Sequence, residues 1–368
     1  MQHTQSKYDF IDIVRTIAAF AVVISHIQQI VIDRPLSAGI VNRVLSLATT
    51  QGENAVVVFF VISGFWIIRS VTRSAEAFSW GDYMLARLSR LWVVLLPALV
   101  LGGAIDFIGD RYFPSALYNG IQGAVSITRP VSQSLDPLTF LGNVIFLQGW
   151  LVKTFGSNGA LWSLTCEFWY YVYFPALWLA WKSKKIHLIV PTLALLAVIP
   201  GLHLFGIWLL GGVVYYFAER KALSLKISSL HVFGSLIIFV ISLGVANLLD
   251  EHKIIANSLV GISFALALYC ALAAKLNVAK VLVPVARFGA SSSYSLYAVH
   301  FPLIVFVLNF IVPEHRMAAS WSSWLLVFGV PVLAGLYGYV FSMTTEANTE
   351  KVKAFIKGRW LGLNKSTS

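Results

Sequence analysis

Arg15 and His26 lie eleven residues apart in one apolar stretch, IDIVRTIAAFAVVISHIQQIVI. A guanidinium can hold an anion there and an imidazole can move a proton. In a helix that spacing turns about 1,100° and rises about 16 Å, so both side chains share a face at different depths. Each also has a plainer reading. Arg15 is close enough to the start of the stretch to snorkel to headgroups or pair with Asp12, and His26 can bridge to a neighbouring helix by a hydrogen bond.

Four more polar groups interrupt apolar sequence. GALWSLTCEFWYYVYFP puts Ser163, Glu167, Tyr170 and Tyr171 at i, i+4, i+7 and i+8 of one helical face, with Trp162 beside them as a further lining residue. A carboxylate about ten residues into a membrane is hard to read as an anchor. DYMLARLSRLW places Arg87 and Arg90 three residues apart, either as positive anchors at the end of a span or as paired guanidiniums that grip phosphate oxygens. SSSYSLYAVHFPLIVF carries Tyr294, Tyr297 and His300 at three-residue steps, a stripe that drifts about 60° per step and either lines a cavity or packs between helices. In NAVVVFFVISGFWIIRS the Ser63-Gly64 pair suits close helix packing or a kink.

Membrane helices must position these residues. Of the 368 residues 58% are hydrophobic and only 12% charged, and the mean hydropathy is +0.77; a soluble core with a wetted surface does not have this composition. The expected fold is an all-α polytopic membrane protein with about ten transmembrane helices, near 10–32, 54–70, 89–108, 160–181, 186–199, 203–219, 229–249, 255–274, 291–312 and 322–345. The fifth and sixth are short and are separated by Pro200 and Gly201; basic residues flank the pair on both sides, which implies a hairpin of two crossings. The first stretch is long enough to stay as a signal anchor and has no small-residue cleavage site.

The net charge of +11 reflects topology rather than nucleic acid. Of the 27 Lys and Arg residues only Arg34, Arg43, Arg111, Arg129, Lys153, Lys253 and Arg316 fall in the expected outer loops, which places both termini in the cytoplasm. Residues 1–347 form one transmembrane domain, with a long outer loop at 109–159 whose later part, LTFLGNVIFLQGWL, is apolar enough to re-enter the membrane and is expected to cap a cavity. Residues 348–368 form a basic amphipathic cytoplasmic tail suited to anionic lipid. Two cysteines, Cys166 and Cys270, give neither a disulfide framework nor a metal cluster, and no metal is expected.

Counting about 1.5 Å per residue across a core of about 30 Å puts His26 and Glu167 in the outer half of the membrane and Arg15, Arg87 and Arg90 at its inner end. That layout suits a donor anchored by phosphates at the cytoplasmic face, with an acid and a base deeper in. No phosphate-binding Gly-rich loop, HExxH or nucleophile elbow is present, which argues against an ATPase, a zinc protease or an α/β-hydrolase. The rival reading is a proton-coupled secondary transporter built on the same His, Glu and Arg, although the sequence shows no inverted repeat.

In order along the chain, YDFIDIVRTIAAFAVVISHI, VVFFVISGFWI, DYMLARLSRLW, NVIFLQGW, LWSLTCEFWYYV and SSSYSLYAVHFP resemble the membrane-bound acyltransferase-3 family over nearly the whole length. The resemblance implies an enzyme of the bacterial inner membrane that acylates sugars or other hydroxyl-bearing acceptors of a surface or exported glycan. Its donor would be acetyl-CoA or a related short acyl-CoA. By the matching motifs, Arg15 and His26 correspond to residues associated with activity, Arg87 and Arg90 to a pair linked to acyl-CoA handling, Glu167 to the motif acid and Ser63 to the Ser-Gly-Phe signature. The implied site is then His26, Glu167 and Arg15 for catalysis, Arg87, Arg90 and Ser63 for the donor, and Trp162, Ser163, Tyr170, Tyr171, Tyr297 and His300 as lining. The last span departs from the family pattern, since Ala347 and Asn348 follow Glu346 where a proline is expected, and Glu346 is left out of the site.

Overall fold

The computed structural model describes residues 8–33, 39–74, 76–198, 201–221, 226–249 and 251–366. Arg34 and Pro200, used above, lie outside them. Helix accounts for 78% of the chain, as expected where lipid offers the backbone no hydrogen bonds and each segment must satisfy its own. The helices are α1 (Asp9–Val31), α2 (Gly39–Thr49), α3 (Gly52–Arg73), α4 (Trp80–Tyr112), α5 (Pro137–Val144), α6 (Trp162–Lys182), α7 (Ile189–Val198), α8 (Leu202–Tyr215), α9 (Ser229–Leu248), α10 (Lys253–Ala273), α11 (Leu282–Asn309), α12 (Trp321–Thr344) and α13 (Thr349–Ser366). Two short strands, β1 (Ile32–Asp33) and β2 (Met317–Ala318), pair in parallel, with Ile32 opposite Met317.

The chain is an all-α polytopic membrane protein. Among the described residues, 8 helical stretches are long and apolar enough to cross a membrane. They coincide with all the expected spans except those at 160–181 and 186–199. The first of these is α6, which has the length at 21 residues, but its Trp and Tyr side chains and Glu167 lower its hydropathy. The second is α7, whose 10 residues reach about 15 Å, half the thickness of a bilayer core.

Two compact units emerge, one of Met1–Gln28, Arg34–Ala75 and Ser163–Ala290, the other of Gln29–Asp33, Glu76–Trp162 and Ser291–Ser368. In the first, α3 runs along α8, and α10 packs on α3, α8 and α9. Glycine makes the α3 contact possible. A Cβ on Gly64 would sit 1.8 Å from the Trp208 carbonyl oxygen, and one on Gly211 would sit 2.0 Å from that of Val61. Lipid supplies no hydrophobic drive between helices, so backbones that touch closely take over that role. The packing reading of Ser63-Gly64 therefore holds for Gly64. At the start of α1, Thr16 donates to the Ala286 carbonyl at 3.0 Å and Asp9 pairs with Arg287 at 3.0 Å.

The second unit is organised on α4, 33 residues or about 50 Å long. Val94 and Ala98 of α4 pack with Ala298, Val299 and Phe341. Its long connection is folded rather than loose. Asp136 caps α5, and buried Asn143 bonds the Thr139 carbonyl at 2.8 Å, the Lys153 carbonyl at 2.9 Å and the Phe155 amide at 3.1 Å. Thr349–Ser366, within the tail expected at 348–368, forms α13, tied to the first turn of α4 by Lys357 and Asp82 at 2.7 Å. Both partners of that pair are about half exposed, so it contributes little to stability.

Candidate functional site

The first unit brings three of the sequence-selected residues together. On α6, Ser163, Glu167 and Tyr171 recur every four residues, so each lies one turn above the last on a slowly drifting face. On α3, Ser63 is the one polar residue in the middle of an apolar run. Its hydroxyl lies 3.1 Å from Glu167 Oε1 and 3.4 Å from the Tyr171 hydroxyl. Tyr171 also donates to Glu167 Oε1. The carboxylate is half-buried, and its second oxygen, Oε2, carries no hydrogen bond among the described residues. A fourth member, which the sequence did not single out, is the fully buried Trp208 of α8, whose indole N–H donates to Ser63 Oγ at 3.3 Å.

The same unit holds Arg15 and His26 on one continuous helix, α1, with both side chains half-buried. Arg15 is 4.0 Å from Asp12, so the expected ion pair is present. The Tyr170 hydroxyl does not bond Glu167: it donates to the Gly201 carbonyl at 2.6 Å, and the ring packs with Phe60, Phe205 and Trp208. Ser163 is buried. A charged knot also escaped sequence reading. Glu219, in a π-helical turn after α8, accepts from Arg69 at 2.9 Å, Arg73 at 3.0 Å and Tyr8 at 2.5 Å. In sequence it looks like an ordinary charge flanking a span, and its partners Arg69 and Arg73 lie 150 and 146 residues away.

The second unit holds Arg87, Arg90, Trp162, Tyr297 and His300. Because α4 begins at Trp80, both arginines lie inside the helix rather than at its edge. Arg87 is half-buried, with its guanidinium 5.5 Å from the Tyr83 ring centre and its Nε buried without a hydrogen-bond partner among the described residues. Arg90 is exposed. Tyr297 donates to the Ala160 carbonyl, and Trp162 packs against Gly149. His300 is fully buried, with Nδ1 facing the carbonyls of Leu296 at 3.1 Å and Tyr297 at 2.9 Å, which assigns the ring proton to Nδ1. Asp106 went unremarked in sequence. Buried in α4, it accepts the Ser157 amide at 2.7 Å, while Asn158 donates to the Ala298 carbonyl at 2.8 Å, so residues 157–160 are pinned just ahead of α6. In sequence it lies near the end of the expected span at 89–108, where a charge reads as an ordinary anchor.

Among the described residues, no group of three or more His, Cys, Asp or Glu side chains is arranged to hold a metal. What the two units offer is a carboxylate held by hydroxyls, an imidazole on α1, and a guanidinium with buried nitrogen unused. The acyltransferase domain that defines the acyltransferase-3 family matches residues 8–361. The chain belongs to the acyltransferase-3 family. No curated protein and no solved structure matches it. As a membrane acyltransferase it carries Arg15, His26, Ser63, Arg87, Arg90 and Glu167 all within the matched residues. Acyl transfer needs a group to take the acceptor's proton, and an imidazole or a carboxylate has that capacity.

Proposed function

We propose that the protein moves a short acyl group, acetyl above all, from cytoplasmic acyl-CoA to a sugar hydroxyl of a surface or exported glycan, in a bacterial inner membrane. The observation that carries this reading is Glu167, a half-buried carboxylate in an apolar helix with one oxygen held by two hydroxyls and the other left to a reacting partner. Charged groups are costly at membrane depth, and packing alone gives no reason to keep this one.

Each residue then has a task. His26 takes the proton of the acceptor hydroxyl as that oxygen bonds to the thioester carbonyl carbon. The carbon–sulfur bond breaks, and the proton passes from His26 to the departing CoA sulfur. Glu167 orients the imidazole or the acceptor. Arg87, with its unused buried nitrogen, and exposed Arg90 hold donor phosphates. Arg15 positions the donor or stabilises the negative charge that develops on the carbonyl oxygen. A transiently acylated His26 would use the same residues in a different order; it would appear as an acyl mass on the α1 peptide when acceptor is withheld.

The test is to incubate the purified protein in lipid with labelled acetyl-CoA and a glycan acceptor. Label in a base-labile ester on the glycan is the expected result. Label that stays on CoA, together with proton-coupled solute uptake by the same vesicles, would favour the transporter reading instead.

A further inference from the structure

The Glu167 cluster has a direction, and Trp208 sets it. An indole N–H can only donate, whereas a serine hydroxyl has one proton and two lone pairs. Trp208 Nε1 donates to Ser63 Oγ at 3.3 Å, so Ser63 must send its own proton elsewhere. Glu167 Oε1 at 3.1 Å is the nearer acceptor, and the Tyr171 hydroxyl, 3.4 Å away, already spends its proton on that same oxygen. The protons therefore run from Trp208 to Ser63 to Glu167, with Tyr171 joining at the end. Oε1 is held by two donors and Oε2 by none among the described residues.

The indole has little freedom to do otherwise. Trp208 is fully buried, with ring centres of Tyr170, Phe174 and Phe205 at 6.0, 5.6 and 5.7 Å. Its own carbonyl is the group that Gly64, next to Ser63, lets α3 approach. One helix contact thus fixes both the donor and the hydroxyl it orients.

We propose that Trp208 is a positioning residue for acyl transfer: acting through Ser63, it holds Glu167 with Oε1 tied and Oε2 presented to the reacting partner. This rests on the reading of Glu167 as part of the transfer machinery. Without the indole N–H, the Ser63 proton is free to turn, and the carboxylate loses its fixed orientation.

The experiment compares Trp208→Phe, Ser63→Ala, the double variant and Glu167→Gln in reconstituted protein, with initial rates measured against acyl-CoA and acceptor. Trp208→Phe is expected to lower kcat about tenfold, the equivalent of one oriented hydrogen bond, with both KM values within about twofold of the parent. Because Trp208 acts through Ser63, the double variant should match Ser63→Ala alone. Parent-like kcat in Trp208→Phe, or a double variant whose loss is the product of the two single losses, overturns the proposal. Should Trp208→Phe fail to fold, benzothienylalanine at position 208 keeps the ring shape without the N–H and decides by the same criteria. Glu167→Gln separates the two levels: parent-like transfer there overturns the role of Glu167 itself, whereas its loss beside an unaffected Trp208→Phe overturns only the positioning role.

Discussion

Ser63 on α3 and Glu167 on α6, 104 residues apart in sequence, meet at 3.1 Å between Oγ and Oε1. The contact turns two isolated polar residues of apolar helices into one group. Glu167→Gln keeps the shape and removes the charge, so it should lower kcat by about 10²-fold, in the range of a lost acid–base partner, with protein yield unchanged. Steady-state rates on detergent-purified protein check this.

Gly64→Ala addresses the contact that brings α3 to α8. The new Cβ would lie 1.8 Å from a backbone oxygen that cannot rotate away. The expected cost is about 1–3 kcal/mol or more from overpacking, visible as a lower Tm and reduced monodisperse yield. An unchanged Tm would show that the helices can separate without penalty.

Arg87 offers a guanidinium whose buried Nε has no hydrogen-bond partner among the described residues. Arg87→Lys keeps the charge but loses the planar fork, so the acyl-CoA KM should rise about tenfold, the value of one charge-assisted hydrogen bond. The same change in Arg90, which is exposed, should matter less. Equal, negligible effects at both positions would make them topological anchors.

Outside the spans, Asp136 caps α5. The Thr139 hydroxyl, at 2.5 Å, and the Thr139 amide, at 2.9 Å, both donate to its carboxylate and hold its pKa below the ordinary 3.8. A carboxyl depressed in the folded state contributes stability that is complete above its unfolded value and is lost as pH falls through the lower folded value. Amide exchange at the start of α5, corrected for intrinsic rate, should therefore accelerate only below about pH 4. Asp136→Asn, which caps without titrating, should keep protection and lose the pH dependence.

Much of this arrangement was legible in sequence, because an ionisable group in an apolar span is conspicuous. His26, Glu167, Arg87 and Arg90 declared themselves that way, and eight of the spans were set by length and hydropathy. What stayed hidden depends on contacts between distant helices. Tyr170 shares a helical face with Glu167, yet it bonds Gly201, since the choice of partner depends on which segment packs beside it. Trp208 is an ordinary residue for a membrane helix until the Gly64 contact sets its N–H against Ser63. Asp106 and Glu219 sit near span ends, where charges are expected, and only burial distinguishes them from anchors. α7 ends at Val198, and Gly201, with φ of 85°, is the N-cap of α8.

If His26 takes part in acyl transfer to a surface glycan, its role shows in the base-labile acyl groups on the glycan of cells carrying His26→Ala, with membrane levels of the protein matched to the parent. These acyl groups are expected to disappear. Glycan acylation at the parental level would contradict that role.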